Sequence, residues 1–431
     1  MKTLKTLLNE IRIAGRFPEA KRKVDNEYNQ NLKSDLPTAK RNRRSFEHNM
    51  GILANSSVYK DIDKRKLEGA SADEIAEHYI NHFKDNILHI HDTMDAQKRQ
   101  AASQWYDTAH NIAKSRHATY APMSNTLTPE GVAGVYAALS PGNEWNNNIA
   151  LGDRVLHIYH TQKTTPWSDK MEATAKRIWK PKDQPILDAI RGRTLGELDD
   201  PMHKAMWIRT HDEAHNKRDH PIYGPDGKVT GKRNTSTRWQ SLHNISKAVQ
   251  AIESGGDMKV LSRLMGKSHK VRHFFNNIAD PNNGAGDVTI DTHAVAAAHY
   301  KPFGQSAIPV NHAFGAAPAA SKKPSNWVPV KSGGAATGIK GTDHMYQEAF
   351  RRAAQERGIL PRQMQSIAWE GIRAIFPNKR SSNARAAHGI WAGHHEGMYS
   401  ADEARRQIDV RQKAPSAPKK VTIRPKKATT V

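Results

Sequence analysis

Apolar residues recur at helical spacing through most of the chain, and the clearest instance lies in its middle. Val271, Phe274, Phe275 and Ile278 fall three to four apart, which predicts an amphipathic helix. A shorter helix ending near Leu264 precedes it, and Gly266, Lys267 and Ser268 form the tight turn between the two. So brief a turn leaves backbone N–H groups pointing outward at the start of the second helix, a natural seat for a phosphate. Downstream, a Pro/Asn/Gly loop over 281–286 leads into Val288, Thr289 and Ile290, which deliver Asp291 to the start of a small-residue helix over 292–300.

Similar signals mark the rest. Thr128, Pro129 and Glu130 supply an N-cap, a first-turn proline and a first-turn acid for a helix whose apolar face is Val132, Val135, Tyr136 and Leu139. It stops at Ser140-Pro141-Gly142, and a second helix follows with Trp145, Ile149, Gly152, Val155, Leu156 and Tyr159 on one face. Periodicity returns at Leu242, Ile245, Val249 and Ile252, and again over 346–357 and 361–375, where Phe350, Met364, Ile367, Ala368 and Ile372 make the apolar seam with Trp369 nearby. Residues 1–120 read as polar and helical, with amphipathic pieces over 1–16 and 72–86 and a basic knot at Lys40, Arg41, Arg43 and Arg44 that reads as solvated surface or a phosphate contact.

Two long stretches lack such a pattern. Residues 161–238 scatter Trp167, Trp179 and Trp207 among charges and include a Tyr223-Gly224-Pro225-Asp226-Gly227 turn suited to a β-hairpin, so they read as an inserted recognition element or a disordered flap. Residues 302–341 read as a linker or wrapping loop, and the Pro/Lys-rich end as a disordered tail. The expectation is therefore a mainly α protein: an N-terminal helical region (1–120), a core (121–310) with its insertion (161–238), a linker (311–341), a C-terminal helical unit (342–410) and a basic tail (411–431).

Charge narrows the partners. Lysine and arginine number 66 against 43 acids, a net charge of +23, so the summed field attracts a polyanion, nucleic acid first. No apolar run reaches the ~20 residues that span a bilayer, and the first residues lack a signal peptide's apolar stretch, which points to a soluble protein of the cytoplasm with no membrane partner. Zero cysteines exclude disulfides, thiolate zinc sites and cysteine-held iron–sulfur clusters. His211 and His215 stand one helical turn apart, and His89, His91 and Asp92 cluster, but Asp212 after His211 departs from the HExxH pattern, and among 23 histidines such pairs arise by chance. No metal and no cofactor is expected, and no phosphate-cradling or dinucleotide glycine motif is present.

The central stretch resembles the helix-hairpin-helix DNA glycosylases of the endonuclease III type. Leu264, Gly266 and Lys270 fall on that family's hairpin leucine, first glycine and catalytic lysine, and Asp291, Thr292 and His293 on its catalytic aspartate and neighbours. Ser268 replaces the second hairpin glycine, and Lys270 and Asp291 are 21 residues apart, slightly more than usual. The resemblance implies a helix-hairpin-helix core and Asp291 as electrostatic stabiliser or general base. It implies Lys270 as the amine that attacks the sugar, crowded by the cationic Lys267, His269, Arg272 and His273. It also implies DNA contacts from Gly266, Lys267, Ser268, His269 and Arg272, and from a wedge loop in which Ser140 matches the family while Gly142 stands for its usual glutamine, leaving Asn143 and Glu144 as polar candidates.

Each assignment has a plainer rival. Asp291 suits an N-cap, and Lys270 an ordinary phosphate-facing lysine. Among Trp145, Trp239, Trp327, Phe274 and Phe275, the two in polar surroundings, Trp239 and Trp327, are the better candidates for base stacking. The expected function is chemistry on a base flipped out of DNA by N-glycosidic cleavage, with or without lyase activity. A second reading rests on similarity to phage glycosylase-like proteins thought to modify thymines, which would add an amine or amino-acid co-substrate and set the protein in a host cytoplasm. A third is a basic, non-enzymatic DNA binder.

Overall fold

The computed structural model describes residues 37–56, 58–216, 220–223, 229–234, 238–239, 241–266, 269–282, 284, 286–314 and 341–413. The protein is mainly α, with eighteen α-helices among the described residues and one two-stranded ribbon. None of these helices is long and apolar enough to cross a membrane.

The chain first lays down α1 (Pro37–Asn55) and α2 (Ala72–Thr93), then α3 (Ala96–Ser103) and α4 (Trp105–Tyr120). Ser71 and Glu74 cap α2 reciprocally: Ser71 Oγ accepts the Glu74 N–H at 3.3 Å and Glu74 Oε2 accepts the Ser71 N–H at 2.8 Å. Next come α5 (Pro129–Leu139) and α6 (Trp145–Thr161). As the sequence predicts, Thr128 caps α5, its Oγ1 accepting the Gly131 N–H at 3.1 Å, with Pro129 in the first turn. Gly152 lets α6 close on α5, since a Cβ there would meet the Tyr136 ring at 2.4 Å.

Residues 161–238 depart from the irregular reading. They form α7 (Asp169–Ile178), α8 (Gln184–Ile190) and α9 (Pro201–His215), followed by the antiparallel ribbon β1 (His220–Tyr223) and β2 (Val229–Asn234). Met171, Leu187, Ile190, Met206 and Trp207 of this stretch are fully buried. The helices are short and carry charges on most turns, so their apolar positions are too few to stand out, although Ser168 and Asp200 cap α7 and α9. The β-hairpin reading agrees with the antiparallel pairing of β1 and β2.

The central pair is α11 (Met258–Met265) and α12 (His269–Ala279), preceded by α10 (Leu242–Glu253). Gly266 ends α11 at φ +68°, a conformation that favours glycine. The chain then builds α13 (Thr292–His299), α14 (Ile308–Ala313), α15 (Asp343–Arg357), α16 (Pro361–Ile375), α17 (Ser382–His395) and α18 (Ala401–Lys413). α14 buries Val310 and His312, so the first part of the expected linker belongs to the core, and α18 continues three residues into the expected tail. The side chains of Lys40, Arg41, Arg43 and Arg44, the stretch over 1–16 and Trp327 lie outside the described residues.

Two hydrophobic cores result, and they divide the chain differently from its composition. One unites α1 and α2 with α13 to α18; the other takes residues from Tyr106 on α4 to Ala279 on α12. The second is thus one continuous insertion between the halves of the first. Where the chain returns, Arg362 on α16 donates to Asp107 Oδ2 at 3.0 Å, Tyr106 donates to Gln365 Oε1 at 3.0 Å, and His273 Nδ1 lies 2.8 Å from the Val288 carbonyl.

Asp343, buried in the first turn of α15, has Oδ2 hydrogen-bonded to Gln347, while its Oδ1 finds no hydrogen-bond partner among the described residues. Burial raises its carboxyl to about 6, against the opposing pull of His273, Gln347 and Arg351. A carboxyl raised in the folded state stabilises below its unfolded value and loses that contribution as pH rises through the folded one. Asp343→Asn is therefore expected to stabilise the protein at pH 8 by on the order of 3 kcal/mol and to have little effect at pH 4, read by denaturant melts at both. Equal shifts at the two pH values would refute a buried charge as the cause.

Candidate functional site

Asp291 ends the extended segment from Val288 and opens α13. Oδ1 accepts the His293 N–H at 2.9 Å and the Ala294 N–H at 2.8 Å, which makes it the N-cap; Oδ2 accepts the Trp369 indole N–H at 3.1 Å. These three hydrogen bonds leave part of a carboxylate's capacity of about four lone-pair sites unused. The group is half-buried. The capping bonds fall on Oδ1 and the indole bond on Oδ2.

Around this carboxylate the two cores meet. The His293 ring packs edge-on against Trp369 at 5.5 Å, and the Arg373 guanidinium lies 4.3 Å over the same indole. Burial lowers the His293 pKa, helped by Lys379, Arg373 and Lys270 and opposed by Asp291. Lys270 of the inserted core and Asp291 of the outer one therefore act electrostatically on the same imidazole. Lys379, in the turn after α16, is half-buried; burial lowers its pKa, Asp291 opposes this and Arg373 adds to it. Burial also raises the Glu370 carboxyl, with Arg373 opposing.

An aromatic wall runs from Lys270 toward Asp291. Phe274 follows Lys270 by one helical turn and so shares its face of α12. Its ring lies 5.9 Å from Trp105 and 6.1 Å from Trp145, the two indoles are 4.8 Å apart, and Trp105 is 6.2 Å from Trp369. The three tryptophans are only half-buried, although tryptophan is highly buried on average. Trp239, singled out from the sequence, instead donates to Asp212 Oδ2 at 3.1 Å, where Arg154 also binds at 2.8 Å.

The other candidates divide. Gly266 shapes the hairpin, while Lys267, Ser268 and the His269 side chain lie outside the described residues. Arg272 turns back: its Nη2 donates to Ser262 O at 3.0 Å and Gly266 O at 2.6 Å, holding the end of α11. Ser140 is buried with its hydroxyl donating to Ala137 O at 2.9 Å, so its side chain ends α5 rather than reaching outward. Asn143 braces the same turn, donating to Leu139 O at 2.8 Å and accepting from Asn147 at 2.6 Å, which leaves exposed Gly142 and Glu144 at the tip. The histidine pairs have other partners: His211 stacks on Trp207, His215 reaches Ser168 at 3.2 Å and His89 reaches Asp409 at 2.9 Å. Among the described residues no three His, Cys, Asp or Glu side chains are grouped to hold a metal ion.

Lys379 and the Trp105–Trp369 contact escape sequence reasoning because nothing local marks them: each depends on segments more than 80 residues apart coming together. No curated protein and no solved structure matches the chain. Residues 70–193 match a family of unknown function (DUF7178), a span from α2 to just past α8 that takes in Trp105, Trp145 and the α5–α6 turn but neither Lys270 nor Asp291.

Proposed function

We propose that the seam between the two cores acts on a base swung out of duplex DNA and breaks its N-glycosidic bond, as the resemblance to helix-hairpin-helix glycosylases implies. The observation that supports this most is that a carboxylate from one core and an amine from the other act electrostatically on one imidazole beside a wall of half-exposed indoles. The net charge of +23 draws DNA to the protein. Indole stacking, worth about 1–3 kcal/mol per base, offsets an unstacking cost of a few kcal/mol.

As the base departs, positive charge grows on the sugar, and Asp291, hydrogen-bonded to the wall through the Trp369 indole, is the anion to stabilise it or to take the attacking group's proton. A lyase step needs an unprotonated amine to attack the anomeric carbon. The resemblance assigns this to Lys270; Lys379, whose ammonium form burial disfavours, is a second amine in electrostatic reach of Asp291.

The test is mass spectrometry of nucleosides from duplexes carrying damaged or modified bases after incubation with the protein. An abasic site is the expected product. A heavier nucleoside would move the assignment to thymine modification by transfer, with an amine or amino acid as co-substrate. Bound but unaltered DNA across the panel would leave only a basic DNA binder.

A further inference from the structure

The β1–β2 ribbon has no part in the site just described. It lies against α6 and is paired through His220 with Asn234, Pro221 with Arg233 and Tyr223 with Val229. Thr230, Gly231, Lys232 and Arg233 are exposed, and Val229 is 57% exposed, so β2 buries little apolar surface. Residues 217–234 carry five lysines and arginines against two aspartates, and the exposed Arg238 follows. A ribbon stabilised by so little burial is marginal by itself and is more easily understood as half of an interface.

The chain beyond it is fixed at Arg238 to the first turn of α6. The Asn147 side chain behaves as a neighbouring strand would: Oδ1 accepts the Arg238 N–H at 3.1 Å and Nδ2 donates to the Arg238 carbonyl at 3.2 Å. The same Nδ2 donates to Asn143 Oδ1 at 2.6 Å, and Asn143 in turn holds Leu139 O. One amide thus couples Arg238 to the exposed tip at Gly142 and Glu144, next to Trp145 of the aromatic wall.

We propose that this ribbon is a second DNA-contacting arm, gripping duplex phosphates to one side of the nucleotide held in the seam. The proposal rests on the seam being turned toward DNA. β2 is six residues long, about 20 Å of extended chain, which matches the rise of about six base pairs. A two-stranded ribbon is also of a width that the major groove admits. The bland alternative is that Pro221 and Lys232 merely guard an open sheet edge against aggregation. Neutral polar replacements separate the two, since they keep the edge hydrophilic and remove only the charge.

The experiment uses the full chain and a duplex of about 25 base pairs with a modified base at its centre, with affinity read by fluorescence anisotropy over a salt series. The double variant Lys232→Gln/Arg238→Gln is expected to bind more weakly and to flatten the slope of log K against log salt by about 1.8, two phosphate contacts at about 0.9 each. Replacing residues 220–234 by a short Gly/Ser turn is expected to shorten the protected footprint on one side by about six base pairs. An unchanged slope with an unchanged footprint overturns the arm. If the wild type protects DNA on that side and yields no altered nucleoside, the arm stands and the base-processing reading falls; if it shows no salt-dependent DNA binding, both fall.

Discussion

Asp291→Asn should abolish most product formation while leaving the fold and DNA binding in place. Asparagine is as good an N-cap as aspartate, so the Oδ1 bonds to the His293 and Ala294 N–H groups persist through the amide oxygen. What disappears is the negative charge and the acceptor facing the Trp369 indole, a structural cost of about 1 kcal/mol. Loss of one preorganised electrostatic group in a catalytic site costs on the order of 100- to 1000-fold in turnover. Removing an acid from a chain of net charge +23 does not weaken attraction to phosphate. The measurements are single-turnover product formation, thermal melting and anisotropy with the same duplex. Product formed at the wild-type rate would leave Asp291 as a cap and nothing more.

The largest stability effect is expected far from the seam, at Asp61. This carboxylate is fully buried in the outer core, 2.8 Å from His299 Nδ1 and ion-paired with the equally buried Lys301; His299 Nε2 lies 2.8 Å from the Tyr346 hydroxyl. Burial would raise the acid, but Lys301 and His299 outweigh it and hold the carboxyl well below the usual range. Asp61→Asn strands the Lys301 ammonium and should cost about 3–5 kcal/mol, a fall in Tm of roughly 5–10 °C. A carboxyl depressed on folding contributes stability above its unfolded value, which is lost progressively as pH falls toward the folded one, so the gap between wild type and variant should begin to narrow only below about pH 4. The double variant Asp61→Asn/Lys301→Met should recover much of the loss. A Tm for Asp61→Asn within 1 °C of wild type at pH 7 would show that water reaches the pair.

These two carboxylates mark what the sequence discloses and what it conceals. Asp291 stands out because local features frame it: an apolar triplet before, small residues after, and a hairpin upstream whose helices carry clean three-to-four spacing. The helices of α5, α6, α15 and α16 are legible for the same reason, and α5 and α16 also open at a proline. Asp61 is silent, one acid in the charged run with Lys60, Asp63 and Lys64 that reads as surface until α13 and α15 close over it. The aromatic wall draws on residues 105, 145, 274 and 369, and no window along the chain contains more than one of them. Ser140 and Asn143 illustrate the opposite error. Polar residues at a helix end suggest an outward-facing loop, yet both turn inward to satisfy carbonyls that the helix leaves unpaired.

The insertion of one core within the other has a practical corollary for dissecting the molecule. The span shared with the family of unknown function begins inside the outer bundle and stops inside the inner one, so a fragment cut at its borders would sever α2 from α15 and α5 from α12. The natural scissors points are the two crossings near Gln104 and Asp280. Only these tether one core to the other along the backbone, so any motion of one core against the other must pivot about that pair of crossings.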